Sequence, residues 1–523
     1  MNLLDKAIGA IAPGWALSRV ASRQRMMLLN SGYSHGGASY AKKSMIGWRS
    51  GTTDADEDIV DNIETLRERS RMLFMTAPIA TGALKTIRTN VVGSGLSLNA
   101  QVDAHYLGLS DEEAREWEAN TEREWRLWAE SVACDAERRQ NFYQLQSLVV
   151  LSTLMSGDCF VVMPMIRRAG SIYDMRVGII EADRVCNPLS ESLVGKNVLG
   201  GVEVGKYGDA VAVYVANKHP RAIPRALEAA SVKWTRVPIF GERTGRRNVL
   251  HVMTDVERPA QRRGVPILAP VIEELKQLKR YSDAELMAAV ISGMFTVFVT
   301  TPNPSEQEPF GGGGLPAMQR IDPDPQAYEL GNGAIVQLAE GEKVEIADPK
   351  RPSVAFDGYV QAVCRHIGAA LEIPYELLLK HFTSSYSASR AALLEAWKMF
   401  RMRRDWLVSS FCQPVYEEWL AEAVAKGRIK APGFFSDPAI RAAWSGAEWH
   451  GDAQGQLDPL KEANAAVVRV KNGFSTISRE AAEMTGMRME SIVRTRMREE
   501  ALLKAAGLTT TGGTVEEEKE EKE

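Results

Sequence analysis

Apolar residues recur at helical spacing over most of this chain and at strand spacing only in one stretch of its first half. Residues 61–90 read as helix, rich in arginine (Arg67, Arg69, Arg71). Ser110-Asp111-Glu112-Glu113 is a capping box, in which a hydroxyl and a carboxylate satisfy each other's free first-turn N–H groups. The stripe behind it, Ala114, Trp117, Thr121, Trp125 and Trp128, predicts one buried face. Tryptophans so spaced are anchors of a core or subunit contact rather than a cofactor box. A second helix is predicted over 141–155, ending at Gly157-Asp158. Between Cys159 and Asp255 the period shortens. Strands are predicted at 160–162, 176–180, 202–204 and 211–215, with Lys206-Tyr207-Gly208-Asp209 as a hairpin turn. This is antiparallel β structure inside an otherwise helical chain.

A long helix opens at Pro270, a favourable first-turn residue. Val271, Leu275, Leu278, Ser282, Leu286, Ala289 and Gly293 share one face, which tapers to small side chains and lets another helix approach, within the chain or from a second subunit. Residues 300–325 are rich in Pro, Gly and acids, and short strands are predicted near 334–338 and 343–346. A returning helix over 354–371 carries Phe356, Val360, Val363 and Ile367 on one face. Residues 373–382 read as an apolar turn and the Ser/Tyr-rich stretch to Ser389 as a loop, followed by a basic helix. At 100° per residue Arg390, Lys398, Arg401 and Arg404 fall within about a third of the circle, opposite Ala392, Ala396, Met399, Phe400 and Leu407; Arg403 breaks the pattern. Helices over 459–470, 479–484 and 491–506 lead into a disordered acidic tail. No internal repeat is visible.

Charge changes the picture at the ends. The net charge of −4 and pI near 6.1 exclude a generally basic nucleic-acid binder. Yet the first fifty residues hold seven Lys and Arg against one acid, Asp5, and residues 516–523 hold six Glu and two Lys. Five scattered cysteines without a C-x-x-C pair point to reduced thiols in a cytosolic setting. The apolar run 7–17 is not read as a secretory signal, because Asp5, Pro13-Gly14 and Arg19, Arg23 and Arg25 interrupt or flank it. The run 286–301 falls short of the ~20 residues a membrane span needs, so a soluble protein is expected.

Candidate chemistry is sparse. Gly32-Tyr33-Ser34-His35-Gly36 has the spacing of a nucleophile elbow but lacks the strand before and the helix after. Gly93-Ser94-Gly95-Leu96-Ser97-Leu98 lacks a third glycine and a following helix, and reads as a turn. Gly195-Lys196 and Gly205-Lys206 lack the Ser or Thr of a P-loop, and no H-E-x-x-H occurs. Cys364 and His366 sit two apart on a helix and so point to different faces, unsuited to one metal. Asp322 and Asp324 alternate with prolines, as in a solvated loop.

Several short stretches acquire meaning from their order. These are Asn90-Val91-Val92-Gly93-Ser94-Gly95, Gly157-Asp158-Cys159-Phe160, Trp234-Thr235-Arg236-Val237-Pro238, His251, Arg258-Pro259 and Gln261-Arg262-Arg263-Gly264-Val265-Pro266. They continue with Ile373-Pro374-Tyr375-Glu376-Leu377-Leu378, Tyr386-Ser387-Ala388-Ser389-Arg390 and Asp458-Pro459-Leu460-Lys461-Glu462-Ala463. In this order, over roughly 5–505, they resemble the lambda-type family of tailed-bacteriophage portal proteins. The loop departs from that family in reading Thr383-Ser384-Ser385-Tyr386, without an Asn before the Tyr.

The resemblance implies an α+β portal fold assembled as a ring, usually of twelve, at one vertex of the head. It implies an N-terminal arm (1–60), a β-containing wing (61–266), a stem helix (267–296), a clip (297–352), a second stem helix (353–373), a tunnel loop and helix (374–412), a C-terminal helical wing and crown (413–506) and a tail (507–523). DNA-facing residues would be Lys380, His381, Ser385, Tyr386, Arg390, Lys398, Arg401 and Arg404. Glu306, Glu308, Asp322 and Asp324 of the clip would face the terminase and later the connector proteins. Implied partners are further copies of the chain, duplex DNA without sequence preference, the terminase large subunit, the major capsid and scaffold proteins and the head-completion or neck proteins. No enzyme activity, metal, cofactor or membrane is implied. The place is the virion, after assembly in the host cytoplasm. The rivals are a portal from a defective prophage or gene transfer agent, a serine hydrolase using Ser34 and a membrane channel using 286–301.

Overall fold

Proline punctuates the first helical stretch. Helix α1 (Ala55–Thr76) stops before Ala77, whose extended backbone (φ −111°, ψ 107°) is what the following Pro78 favours, and α2 (Pro78–Val91) restarts with that proline in its first turn. The computed structural model describes residues 53–188, 197–221, 232–253, 255–293, 297–300, 343–346, 356–382, 385–453, 459–486 and 489–506, and five isolated positions before 52. The chain divides into two units, Met1–Asp58 and Ile59–Glu523, and the elements from Ile59 onward belong to the second. Ser34, Glu306, Glu308, Asp322, Asp324, the strand expected at 334–338 and the acidic tail lie outside the described residues.

After α2 the chain turns through Gly93 (φ +58°) and Gly95 (φ +120°), as expected of that glycine pair, into strand β1 (Ser97–Ala100). The short α3 (Ala104–Leu107) leads to α4 (Asp111–Ala129), where the expected capping box forms between Ser110 and Glu113. Ser110→Ala should therefore cost about 1 kcal/mol of stability, read as a lower denaturant midpoint at unchanged m-value. Helix α5 (Phe142–Ser156) carries a matching cap, Asn141 with Gln144, and ends at Gly157.

The tryptophan stripe of α4 is core. Trp125 meets Phe142, Tyr416, Trp419 and Trp449 edge-on at ring distances of 5.1 to 5.8 Å, a favoured aromatic geometry. Trp117 is only partly covered and packs on Trp444.

The strand-bearing region holds two antiparallel sheets. In the first, β2 (Asp158–Val162) lies between β3 (Gly178–Ile180) and β8, the strand Val249–Met253. The second runs β4 (Val198–Leu199), β5 (Val202–Val204), β6 (Ala210–Ala216) and β7 (Trp234–Pro238), with the expected hairpin turn around Gly208. Phe160, Ile180, Val202, Val213, Ile239 and Val249 make a small separate core there.

Helix α6 (Ile272–Gly293) pairs with α7 (Phe356–Ala370), Tyr281 lying 5.5 Å from Phe356 and 4.8 Å from Tyr359 between ring centres. The face expected along α6 is buried at Val271, Leu275 and Leu278 but open at Leu286, which is 65% exposed. Met287 and Val290 beside it are exposed as well. Between the two helices in sequence, β9 (Val297–Thr300) pairs antiparallel with β10 (Lys343–Ile346), so the expected strand at 343–346 finds its partner in the end of the apolar run 286–301, where no strand was expected. No helix among the described residues is long and apolar enough to cross a membrane.

The segment after α7 is more helical than its sequence pattern predicts. Residues 375–379 form a helical turn, α8 (Tyr375–Leu379), and α9 (Tyr386–Leu407) starts three residues before Ser389 because Ser385 caps it. Ser385 and Tyr386 thus belong to the helix rather than to the loop. A π-turn (Val408–Cys412) joins α9 to α10 (Gln413–Ala425), followed by α11 (Pro438–Trp444) and β11 (Ala447–His450). β11 pairs with β1 and closes the large core. The carboxyl-terminal helices are α12 (Pro459–Lys471), α13 (Ile477–Thr485) and α14 (Met489–Ala505).

Candidate functional site

Helix α9 buries the arc the sequence predicts, Ala396, Met399, Phe400 and Leu407, and its basic residues divide by environment. Arg403, the residue that broke the pattern, is itself buried and reaches Asp255 at 3.3 Å and Glu372 at 3.8 Å. It ties the end of α7 and the exit of β8 to α9. Arg404 donates to the carbonyls of Val91 (3.0 Å), Asn90 (3.1 Å) and Asp452 (3.2 Å), with its guanidinium 5.6 Å from the Trp397 ring centre. Two of these carbonyls belong to the last turn of α2, where a cation also meets the negative end of the helix dipole. Burial lowers the Arg404 pKa, countered by the nearby Asp452.

The other cations face outward. Arg390 lies 3.6 Å from Glu462 of α12, and Lys398 pairs at 2.6 Å with Glu395 one turn earlier, both ends of that pair well exposed. Arg401 is exposed and has no ion-pair partner among the described residues. Lys380 is exposed and closes α8 in the left-handed region (φ +54°), and the His381 N–H donates to the Glu376 carbonyl. The expected basic stripe is therefore Lys398 and Arg401 outermost, Arg390 bridged to α12 and Arg404 folded into the scaffold. Carboxylates of Glu395 and Asp405 sit on the same helix, which keeps this surface near neutral.

A second centre has no role assigned from sequence, although Asp158, Phe160, His251, Arg263 and Gly264 stand among the ordered landmarks. Asp158, wholly buried at the start of β2, accepts from Arg67 (2.8 Å), from Arg263 at both oxygens (2.7 and 3.1 Å) and from the Gly264 N–H (3.0 Å). His251 Nε2 lies 3.1 Å from the same carboxylate, and its ring stacks on Phe160 with centres 4.2 Å apart. Arg263 uses its remaining N–H groups on the Val185, Gly200 and Ala182 carbonyls. Arg67 also reaches the Ser156 carbonyl and Asp183, and Arg71 pairs with Asp183. Burial by itself would raise the Asp158 pKa. The charges of Arg263 and Arg67, with bonds from His251 and Arg263, outweigh it and hold the carboxyl well below the usual range. Burial and the like charge of Arg263 bring Arg67 down to about 10.

So many donors leave this carboxylate no lone pair for proton transfer, and among the described residues no nucleophile is bonded to His251. The centre is a clamp joining α1, β2, β8 and the 261–264 turn. Gly157 and Gly264 complete it: a Cβ on either would lie 2.1 Å from the other's carbonyl oxygen. The signal that could have found it is a lone acid between a glycine and an apolar strand, with arginines flanked by turn residues elsewhere.

Residues 41–404, about seven-tenths of the chain, match the sequence profile described as phage portal protein, lambda family. The chain belongs to the lambda family of phage portal proteins. As a portal protein it is a structural component of the phage particle and not an enzyme. It is 26% identical over 502 residues to portal protein B of Escherichia phage lambda, covering 91% of each chain. It is likewise 26% identical over 504 residues to the portal protein of Escherichia phage N15, again covering 91% of each. A probable portal protein of Halomonas phage phiHAP-1 is 24% identical over 444 residues, covering 82% of this chain and 78% of that one. Among solved structures, a chain from the neck of a native gene transfer agent particle, computed with C12 symmetry, aligns with a TM-score of 0.46 at 11% identity, covering 80% of this portal and 92% of that chain.

Proposed function

We propose that twelve copies of this portal close into a ring around duplex DNA at one vertex of the head. Through it the terminase large subunit drives the genome in, and the genome later leaves. The observation that carries this reading is the division of the α9 cations: the buried arginines hold the scaffold, while Lys398 and Arg401 stand outward beside carboxylates. A conduit must let DNA slide, and every phosphate neutralised adds affinity through counterion release. Two lightly placed cations on α9 of each copy, repeated around a ring, suit weak contact without sequence preference. Lys380 and His381 at the end of α8 belong to the same lining, as does the loop they open.

In the same reading α6 and α7 are the stem, and the β9–β10 ribbon roots a clip whose Glu306, Glu308, Asp322 and Asp324 meet the terminase and then the neck proteins. The sheets form the wing, α12 to α14 belong to the crown, and capsid and scaffold proteins meet the outside. Assembly takes place in the host cytoplasm, and the ring ends in the virion.

Negative-stain images of the purified protein should contain closed rings with a central hole; monomers alone over a broad concentration range would overturn the proposal. Lys398→Ala with Arg401→Ala should leave ring yield unchanged and lower packaged DNA severalfold. Arg404→Ala should act differently, lowering stability by about 1.5–3 kcal/mol for its lost charge-assisted hydrogen bonds. Equal loss of rings and packaging in the Lys398/Arg401 variant would make those two residues subunit contacts instead.

A further inference from the structure

The carboxyl-terminal helices carry an unbalanced charge. Residues 459–506 hold nine Lys and Arg against six Asp and Glu. Several of these pair within the module: Arg469 with Glu480 at 2.6 Å, Arg479 with Glu483 at 3.2 Å, and Arg496 with Glu500 at 4.0 Å. Helix α14 itself carries four Lys and Arg against three Glu, and two of its arginines stand apart from these pairs. Arg494 and Arg498 are both exposed, stand one turn apart on the same face, and have no ion-pair partner among the described residues. Lys504 continues that helix toward its end and is exposed too. Helix α14 leans on α13, where the Ser478 hydroxyl meets the Met489 sulfur, and is open along most of its length.

The complementary charge is in the same chain. Residues 516–523 carry six Glu and two Lys, a net −4, and Glu516 follows Ala506 by ten residues that include Gly507, Gly512 and Gly513. Ten residues of extended chain span up to about 35 Å, while a 17-residue helix such as α14 is about 25 Å long. The tail can therefore turn back and reach every cation on α14, and glycines permit the reversal at little steric cost.

We propose that the acidic tail docks on the Arg494–Arg498 face of α14 and stands in for nucleic-acid phosphates there. This rests on the portal reading, because masking matters only in a ring that handles DNA. The consequence is a division of labour: α9 offers weak contact to DNA, while the stronger unpaired arginines of α14 are occupied by the chain's own carboxylates and do not grip the genome.

The test uses assembled rings and a 30-base-pair duplex of random sequence, with affinity read by fluorescence anisotropy across salt. Deleting 516–523, or changing its six glutamates to glutamine, should tighten binding about tenfold at low salt. It should also steepen the log–log salt dependence by roughly 0.9 for each arginine that gains a phosphate. Arg494→Ala with Arg498→Ala in the tailless ring should return both quantities to the full-length values. Unchanged affinity on deletion overturns the proposal. So does an equal gain in the Arg494/Arg498 variant, which would mean general repulsion rather than docking. A readout independent of DNA is zero-length carbodiimide coupling of tail carboxylates to Lys504 or to the lysine of Arg498→Lys. Cross-links there support docking, mixed isotope-labelled rings tell a neighbour's tail from the same chain's, and their absence overturns the idea. Rings that form but bind no DNA in any variant would instead count against the conduit reading, leaving the cross-links to decide docking.

Discussion

Asp158→Ala should leave little folded protein. The substitution strands Arg67 and Arg263, both 2% exposed, with no carboxylate between them. Removing one partner of a buried pair costs about 3–5 kcal/mol, because the remaining charge stays buried and uncompensated. Here two guanidiniums are left, against a total stability of about 5–15 kcal/mol for a typical domain. The expected outcome is a protein largely in the insoluble fraction, with any soluble remainder melting many degrees lower in differential scanning fluorimetry. A melting point within two degrees of the wild type would show that the clamp is not needed. Acid should imitate the mutation. The folded-state pKa of Asp158 lies below its unfolded value of about 3.9, so its contribution is fully present above about pH 4 and is lost as pH falls toward the folded value. Asp183, which burial would raise but Arg71 and Arg67 bring down, adds to the loss with the same sign. Asp158→Asn should flatten the fall of melting temperature between pH 5 and pH 3.

Leu286→Ser, Met287→Ser and Val290→Ser together should abolish rings and leave a folded monomer. These side chains are 65, 59 and 43% exposed; Leu286 continues the face that Leu275 and Leu278 pack on the core, and Met287 and Val290 lie beside it. Fully burying one such side chain is worth about 1.5–3 kcal/mol, so covering three at every subunit boundary is enough to decide assembly. Among the described residues little covers them, so the melting transition of the monomer should barely move. Analytical ultracentrifugation separates the outcomes. Persistent rings would mean that the exposed end of α6 is not a subunit contact.

Local signals in the sequence were strong where a residue acts on its own neighbours. The Ser110–Glu113 cap, the α4 tryptophan face, the Lys206–Asp209 turn and the terminal helices follow from rules that act over three or four positions. What escaped depends on distant partners. Nothing near Ser97–Ala100 announces a strand, because its partner is Ala447–His450. Val297–Thr300 shows in sequence only as the end of an apolar run, because the strand it pairs with begins forty-odd residues later. The start of α9 was placed late, since the serines from Ser384 to Ser389 look alike in sequence and only the backbone shows that Ser385 is the cap. Arg404 fits the basic arc by angle, yet its guanidinium meets carbonyls of α2 that no periodicity can anticipate. Arg403 shows the converse: the angular misfit was a true sign of burial.

The β1–β11 pairing has a consequence for synthesis. Ser97 waits for His450, 353 positions downstream, and at about 5–20 residues per second that interval lasts roughly 20–70 s on the ribosome. The large core cannot close until residues 447–450 have been made. A polypeptide that terminates before residue 447 lacks the strand that pairs with β1, so the edge of its own first half stays open.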